Sequence, residues 1–213
     1  MREFGKLHDI SVTLGSQTAV YPDDSPFTSE KTMSLEKGEI ADVSKISLSS
    51  HSGTHLDLPA HFIQGAETAE SWPPEKFVLP VQVIDIDDPL TVTRQELESK
   101  AIREGAALLF RTANSLSGLV RAPVFSEDYV CLSLEAAEYC IAKKAPLIGL
   151  DYFSIDRYGD FSYPVHRRIA QNNILILENI DLKETPAGEY LLFCFPLKIA
   201  GSEASPVRAV LAE

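Results

Sequence analysis

Three of the five histidines in this chain, His51, His55 and His61, fall within eleven residues, His51-Ser52-Gly53-Thr54-His55-Leu56-Asp57-Leu58-Pro59-Ala60-His61. That stretch limits the local backbone before any other part of the sequence is considered. A helix would align position 51 with 55, but Gly53 and Pro59 oppose a continuous one, the proline alone by about 3 kcal/mol. In an extended chain the odd-numbered positions 51, 55, 57 and 61 project from one face until Pro59 bends the path. Gly53 permits a close backbone approach or an unusual φ. The spacing therefore predicts a strand end passing into a turn. Two imidazoles and a carboxylate, with a further imidazole close behind, form a donor set suited to zinc or manganese. The alternative for such a stretch is a hydrogen-bonded polar turn. His8, standing alone, reads as structural.

The rest of the composition narrows the functional classes. With 31 acids against 19 bases the net charge is −12, a field that repels phosphate backbones. Nucleic acid is not an expected partner. No apolar run approaches the roughly 20 residues a membrane helix needs, so no membrane partner is expected either. The first ten residues lack the apolar core of a secretory leader, which makes the cytoplasm the expected address. Cys131, Cys140 and Cys194 are an odd set without a CxxC pair and read as reduced, buried thiols. No GxSxG elbow, GxGxxG or GxxxxGK[ST] loop is present, so serine hydrolysis and nucleotide chemistry lack a motif.

Along the chain, no repeat, low-complexity tract or Gly/Ser linker divides the 213 residues, and one domain spanning 1–213 is expected. Residues 7–14 read as a strand, 21–27 as a turn-rich loop, and the segment carrying Val43, Ile46 and Leu48 as a strand of imperfect phase. Residues 78–87 form a strand with Pro80 at its start or at an edge. Thr93-Arg94-Gln95-Glu96 has capping-box spacing and opens a helix through Lys100. Residues 106–112 are the next strand. Ser133 caps a helix with Lys143 and Lys144 in its last turn. Residues 146–151, 173–178 and 189–195 are strands, with a helical turn near 164–172. Strands alternating with helices after a β-rich start imply an α/β fold with a mixed sheet. Glu178, ending the apolar run Ile174–Leu177, is either a carboxylate that needs a cation partner or a surface residue opening a loop.

HSGTHLDLPAH matches the HxGTHxDxPxH signature of the cyclase family of metal-dependent hydrolases, which includes bacterial kynurenine formamidases (arylformamidases) and isatin hydrolases. The resemblance extends over most of the chain. HDISVTLG and YPDDSPF look like the family's opening strand and substrate loop, LIGLDYFSID like its GxDxxSxD segment, and PLKIAGSEASPVRAV like its ending. HRRIAQNNILILENI is similar to the second ligand stretch. The resemblance implies a swivelling β/β/α domain and a pair of divalent metals, zinc or manganese. It implies that His51, His55 and Asp57 hold the first metal, that Asp57 bridges, that His166 binds the second, and that Glu178 contacts both. His61 would be the general acid/base, a metal-bound water the nucleophile, and a small-molecule amide the substrate. A homo-oligomer, dimer or larger, is implied as well. The simplest activity is hydrolysis of N-formylkynurenine to kynurenine and formate, with cyclic amides or lactones as an alternative. A binding or metal-storing protein on the same fold is the non-enzymatic rival. Where formamidases carry Trp-Pro-Gly-Asp, this chain has Tyr21-Pro22-Asp23-Asp24. Tyr21 can still stack on an arene, and Asp23 is expected to add negative charge near the entrance.

Overall fold

Side chains alternating between two cores organise the centre of the molecule. The computed structural model describes residues 5–15 and 19–213; residues 1–4, part of the N-terminal segment considered above, lie outside the described residues. The strands are β1 (Leu7–Asp9), β2 (Thr28–Met33), β3 (Val43–Ser47), β4 (His55–Asp57), β5 (Val78–Asp85), β6 (Thr91–Val92), β7 (Ala107–Arg111), β8 (Cys131–Leu132), β9 (Leu147–Leu150), β10 (Leu175–Glu178), β11 (Gly188–Phe193), β12 (Ala204–Pro206) and β13 (Val210–Ala212). The helices are α1 (Arg94–Ser99), α2 (Ala113–Ser117), α3 (Leu134–Ala142) and α4 (Pro164–Ala170). Nine strands form one mixed sheet in the order β1-β13-β11-β5-β7-β9-β10-β4-β12. Its centre, β5-β7-β9-β10, is parallel, and the flanking pairs are antiparallel.

The parallel strands are buried on both faces, as parallel sheets require. Leu109, Leu147, Leu175 and Leu177 enter one core, where Leu56, Phe77, Leu192 and Leu211 from the β-rich side meet them. Leu108, Phe110, Ile148 and Ile176 enter the other, covered by Leu97 of α1, Ala136 and Cys140 of α3, and Ile169 of α4. The mixed α/β expectation holds, with the sheet curled around the first core. Within β9, Gly149 belongs to that first face. A Cβ added there would collide with Leu109 Cδ2 and come within 3.0 Å of the Leu177 carbonyl oxygen. Gly149→Ala is therefore expected to destabilise the fold by about 1–3 kcal/mol through overpacking. A lower denaturation midpoint at an unchanged m-value is the measurement that checks it.

Local signals read well. The Thr93 hydroxyl accepts from Glu96 N–H, and the Ser133 hydroxyl from Ala136 N–H, so both caps form. The Glu96 carboxylate does not return to its cap; it accepts the Asp87 and Asp88 N–H groups instead. Lys143 and Lys144 lie just beyond the last turn of α3. Pro80 sits inside β5, a central strand, but the β7 ladder begins only at Val81, so its missing N–H lies where pairing to β7 has not started. The strand expected over 7–14 shortens to β1, followed by a single bridge from Ser11 to Ile180. The third strand differs most from expectation. Val43 and Ile46 are exposed because β2 and β3 pair only with each other, as a hairpin outside the main sheet. All three cysteines are free and buried. His8 is structural, its Nε2 2.9 Å from Glu213 Oε1. Among the described residues no helix is long and apolar enough to cross a membrane.

Candidate metal centre

β4 is short, and its place between β10 and β12 turns the histidine motif into a site. His55 and Asp57 project from one face while Leu56 enters the core behind them. Register sets Glu178 of β10 directly opposite His55, which brings its carboxylate to the same face. The extended path predicted through position 51 does not hold. Gly53 takes a left-handed φ of 63°, and a Cβ there would lie 2.6 Å from Leu14 Cδ2. His51 consequently reaches the site from a turn rather than from the strand. Thr54 fastens this junction, donating its hydroxyl to the Asn179 carbonyl at 2.7 Å and accepting Val12 N–H at 3.0 Å. After Asp57 the chain turns through the 3₁₀ segment Pro59–His61, which sets the His61 ring centroid 4.3 Å from that of His51.

His166 arrives from α4. The two acids of LIGLDYFSID have separate tasks here. Asp151 accepts Thr112 N–H and Ser115 N–H and so fixes the turn after β7. Asp156 accepts the Val165 and His166 N–H groups at the start of α4 and accepts a hydrogen bond from His166 Nδ1–H at 2.6 Å. This leaves His166 Nε2 facing Glu178 Oε1 at 3.2 Å and Asp57 Oδ2 at 3.7 Å. His55 donates Nδ1–H to the Gly53 carbonyl, so its Nε2 also faces inward, 3.5 Å from Asp57 Oδ1 and 3.4 Å from Glu178 Oε2. His51 Nδ1 lies 2.9 Å from Asp57 Oδ1.

The donor set fits a divalent metal. Ligands at about 2.1 Å around a tetrahedral ion stand about 3.4 Å apart, and the separations between these donors fall around that value. Asp57 and Glu178 are only 3% and 2% exposed, yet His55 Nε2 and Asp57 Oδ2 make no hydrogen bond among the described residues. Buried polar atoms in that state are expected to have an unseen partner. Among the described residues, two groups have all their donor atoms within ligand reach of one another: His51, Asp57 and His61, and His55, Asp57 and Glu178. Asp57 is common to both. Burial opposes charge on His51, but the Asp57 carboxylate outweighs it and raises the imidazole to about 9. Burial likewise opposes charge on His166, but Glu178 and Asp156 bring it to about 10. Asp57 and Glu178 are held below the ordinary carboxylate range against their own burial, by His51 and His166 respectively. A metal held here would displace protons from the imidazoles. His61 is lowered, chiefly by burial, which favours a neutral ring.

Above these donors opens a cavity of about 260 Å³ with aromatic walls formed by Tyr21, Phe62, Phe153 and Tyr163. Of these, only Tyr21 was legible in the sequence. Phe62 directly follows His61, and Phe153 lies within LIGLDYFSID, but no spacing rule singles them out. Tyr163 adopts a left-handed backbone, φ 48°, just ahead of α4, the kind of strained conformation that clusters at functional sites. Tyr21 is supported from behind by Phe125, edge-on at 5.2 Å. Asp23 stands two residues beyond Tyr21. It occupies the third position of a turn closed by Asp24 N–H to the Tyr21 carbonyl, with φ 70°. Its side chain is exposed, and it is Asp24 that lines the cavity. The left-handed region is where glycine is free of strain and aspartate is tolerated, so the turn survives with Asp at that position.

The chain is similar to known metal-dependent hydrolases. The Cyclase family model matches residues 8–157. A kynurenine formamidase of Bacillus cereus is 32% identical over 203 residues, covering 95% of each chain. One from Bacillus anthracis is 32% identical over 206 residues, 97% of each. A solved structure described as a potential metal-dependent hydrolase with cyclase activity superposes with a TM-score of 0.82 at 27% identity, over 97% of both chains. Isatin hydrolase A from Labrenzia aggregata superposes with a TM-score of 0.80 at 26% identity, over 97% of this chain and 93% of that one.

Proposed function

The chain belongs to the cyclase family of metal-dependent hydrolases, and from that premise we propose that it hydrolyses an aryl or cyclic amide, most simply as an arylformamidase. The observation that carries this reading is the convergence of His51, His55, Asp57, His166 and Glu178 on the floor of an aromatic-walled cavity. These five would hold a divalent pair, zinc or manganese, with Asp57 shared between the two positions. When bound, such ions supply an acidified water and Lewis-acid polarisation of the amide carbonyl. The chain's own residues supply the remainder. Tyr21, Phe62 and Phe153 enclose the arene and keep bulk water from the reacting carbonyl. His61, half-buried beside His51 and inclined to be neutral, relays a proton to the departing amine.

The likeness to isatin hydrolase A supports a second reading, hydrolysis of a cyclic amide of the isatin type. Assay of N-formylkynurenine, isatin and a lactone panel, with and without a chelator, tests both. Tyr21→Trp is expected to lower the KM for N-formylkynurenine roughly two- to tenfold, the worth of an added aromatic contact. Turnover confined to phosphoesters would overturn the amidase assignment.

The remaining features of the reading are a cytoplasmic address, no nucleic-acid partner and assembly as a homo-oligomer. The oligomer is supported by the β2–β3 hairpin, which displays Val43 and Ile46, and by Ile40 between its strands, 92% exposed.

A further inference from the structure

Two of the three imidazoles that face the carboxylates are oriented by a hydrogen bond at their second nitrogen, as metal-binding histidines generally are. For His55 the partner is the Gly53 carbonyl, and for His166 it is Asp156. His51 presents its other nitrogen, Nδ1, to the centre, and its Nε2 lies 3.4 Å from Glu203 Oε1. Glu203 is itself fixed. The same Oε1 accepts the Ser50 hydroxyl at 2.7 Å, and the Glu203 main-chain carbonyl accepts Leu58 N–H at 2.9 Å. One residue thus grips both ends of the histidine motif, beside His51 and just ahead of the turn that presents His61. The loop carrying it is tied down in turn, since Gly201 N–H donates to Glu70 and the Ser202 carbonyl accepts Ala69 N–H.

We infer that Glu203 is a positioning residue of this centre, holding the His51 ring by Nε2 so that Nδ1 faces Asp57 and the metal. The inference rests on the metal-hydrolase reading above. Glu203 does not line the cavity, so it acts through His51 and not on substrate. Its side chain is 38% exposed and fills no core volume, so truncating it tests orientation more than packing.

Zinc titration of the stripped full chain, in competition with a chromophoric chelator, tests this with Glu203→Ala and Glu203→Gln. The alanine variant is expected to weaken the zinc equivalent that His51 serves by about 10–100-fold. The other equivalent and the thermal midpoint of the metal-free protein should stay unchanged. Glu203→Gln should recover most of the affinity, because its amide oxygen can accept from both His51 Nε2–H and the Ser50 hydroxyl. Parental affinity in Glu203→Ala would overturn the inference. So would equal weakening of all zinc binding together with a lowered metal-free midpoint, which marks a structural role, or a glutamine variant no better than alanine. A parent chain that binds neither zinc nor manganese would overturn the metal-centre reading itself, and the inference with it.

Discussion

Asp57→Ala is expected to leave the purified protein with metal at background level in both positions, the largest effect foreseen for any single substitution here. One oxygen of Asp57 faces His51 Nδ1 and His55 Nε2, and the other faces His166 Nε2. It is the one residue common to the two candidate ligand groups, so removing it takes a donor from each. It also removes a buried anion that would offset the charge of an incoming cation. Activity should fall with the metal. Asp57→Asn, which keeps the shape but not the charge, is expected to lose most of the metal as well, showing that the carboxylate and not the volume is required. Elemental analysis beside a thermal melt checks both variants. Full metal content in a folded alanine variant would remove Asp57 from the bridging role.

His61→Ala is expected to lower turnover by roughly 10²–10⁴-fold while both metals stay bound. The geometry makes this a demanding test, because His61 lies close enough to His51 and Asp57 to serve as a ligand. The two roles give opposite results. A proton relay matters most when the leaving group is a poor one, so an amide should be slowed far more than an activated aryl ester whose leaving group needs no protonation. A ligand matters to every substrate, so its loss should empty a metal position and slow amide and ester alike. Metal content measured beside both rates separates the two, and metal loss with equal slowing would refute the relay.

The sequence alone determined whatever depends on a few neighbouring residues. The cap at Thr93, the cap at Ser133 and the apolar runs that became β7, β9 and β10 follow from rules acting within one helical turn or one strand pleat. The histidine motif was legible for the same reason, except at His51, which Gly53 places on a turn and not on the predicted strand. The tertiary structure decided what those rules cannot reach. Glu178 was balanced between ligand and surface residue until antiparallel register placed it opposite His55, more than a hundred positions earlier in the chain. Asp156 and Asp151 look alike in LIGLDYFSID, yet one orients His166 and the other braces a turn, because α4 and α2 start beside them. Phe62, Phe153 and Tyr163 became a cavity wall only when separate loops met above β4. Val43 and Ile46, apolar by sequence, lie exposed because their hairpin found no partner in the main sheet. Local conformation follows from steric and hydrogen-bonding preferences of adjacent residues, whereas a site assembled from β4, α4, β10 and the loop before β12 exists only once the sheet has curled and its registers are set.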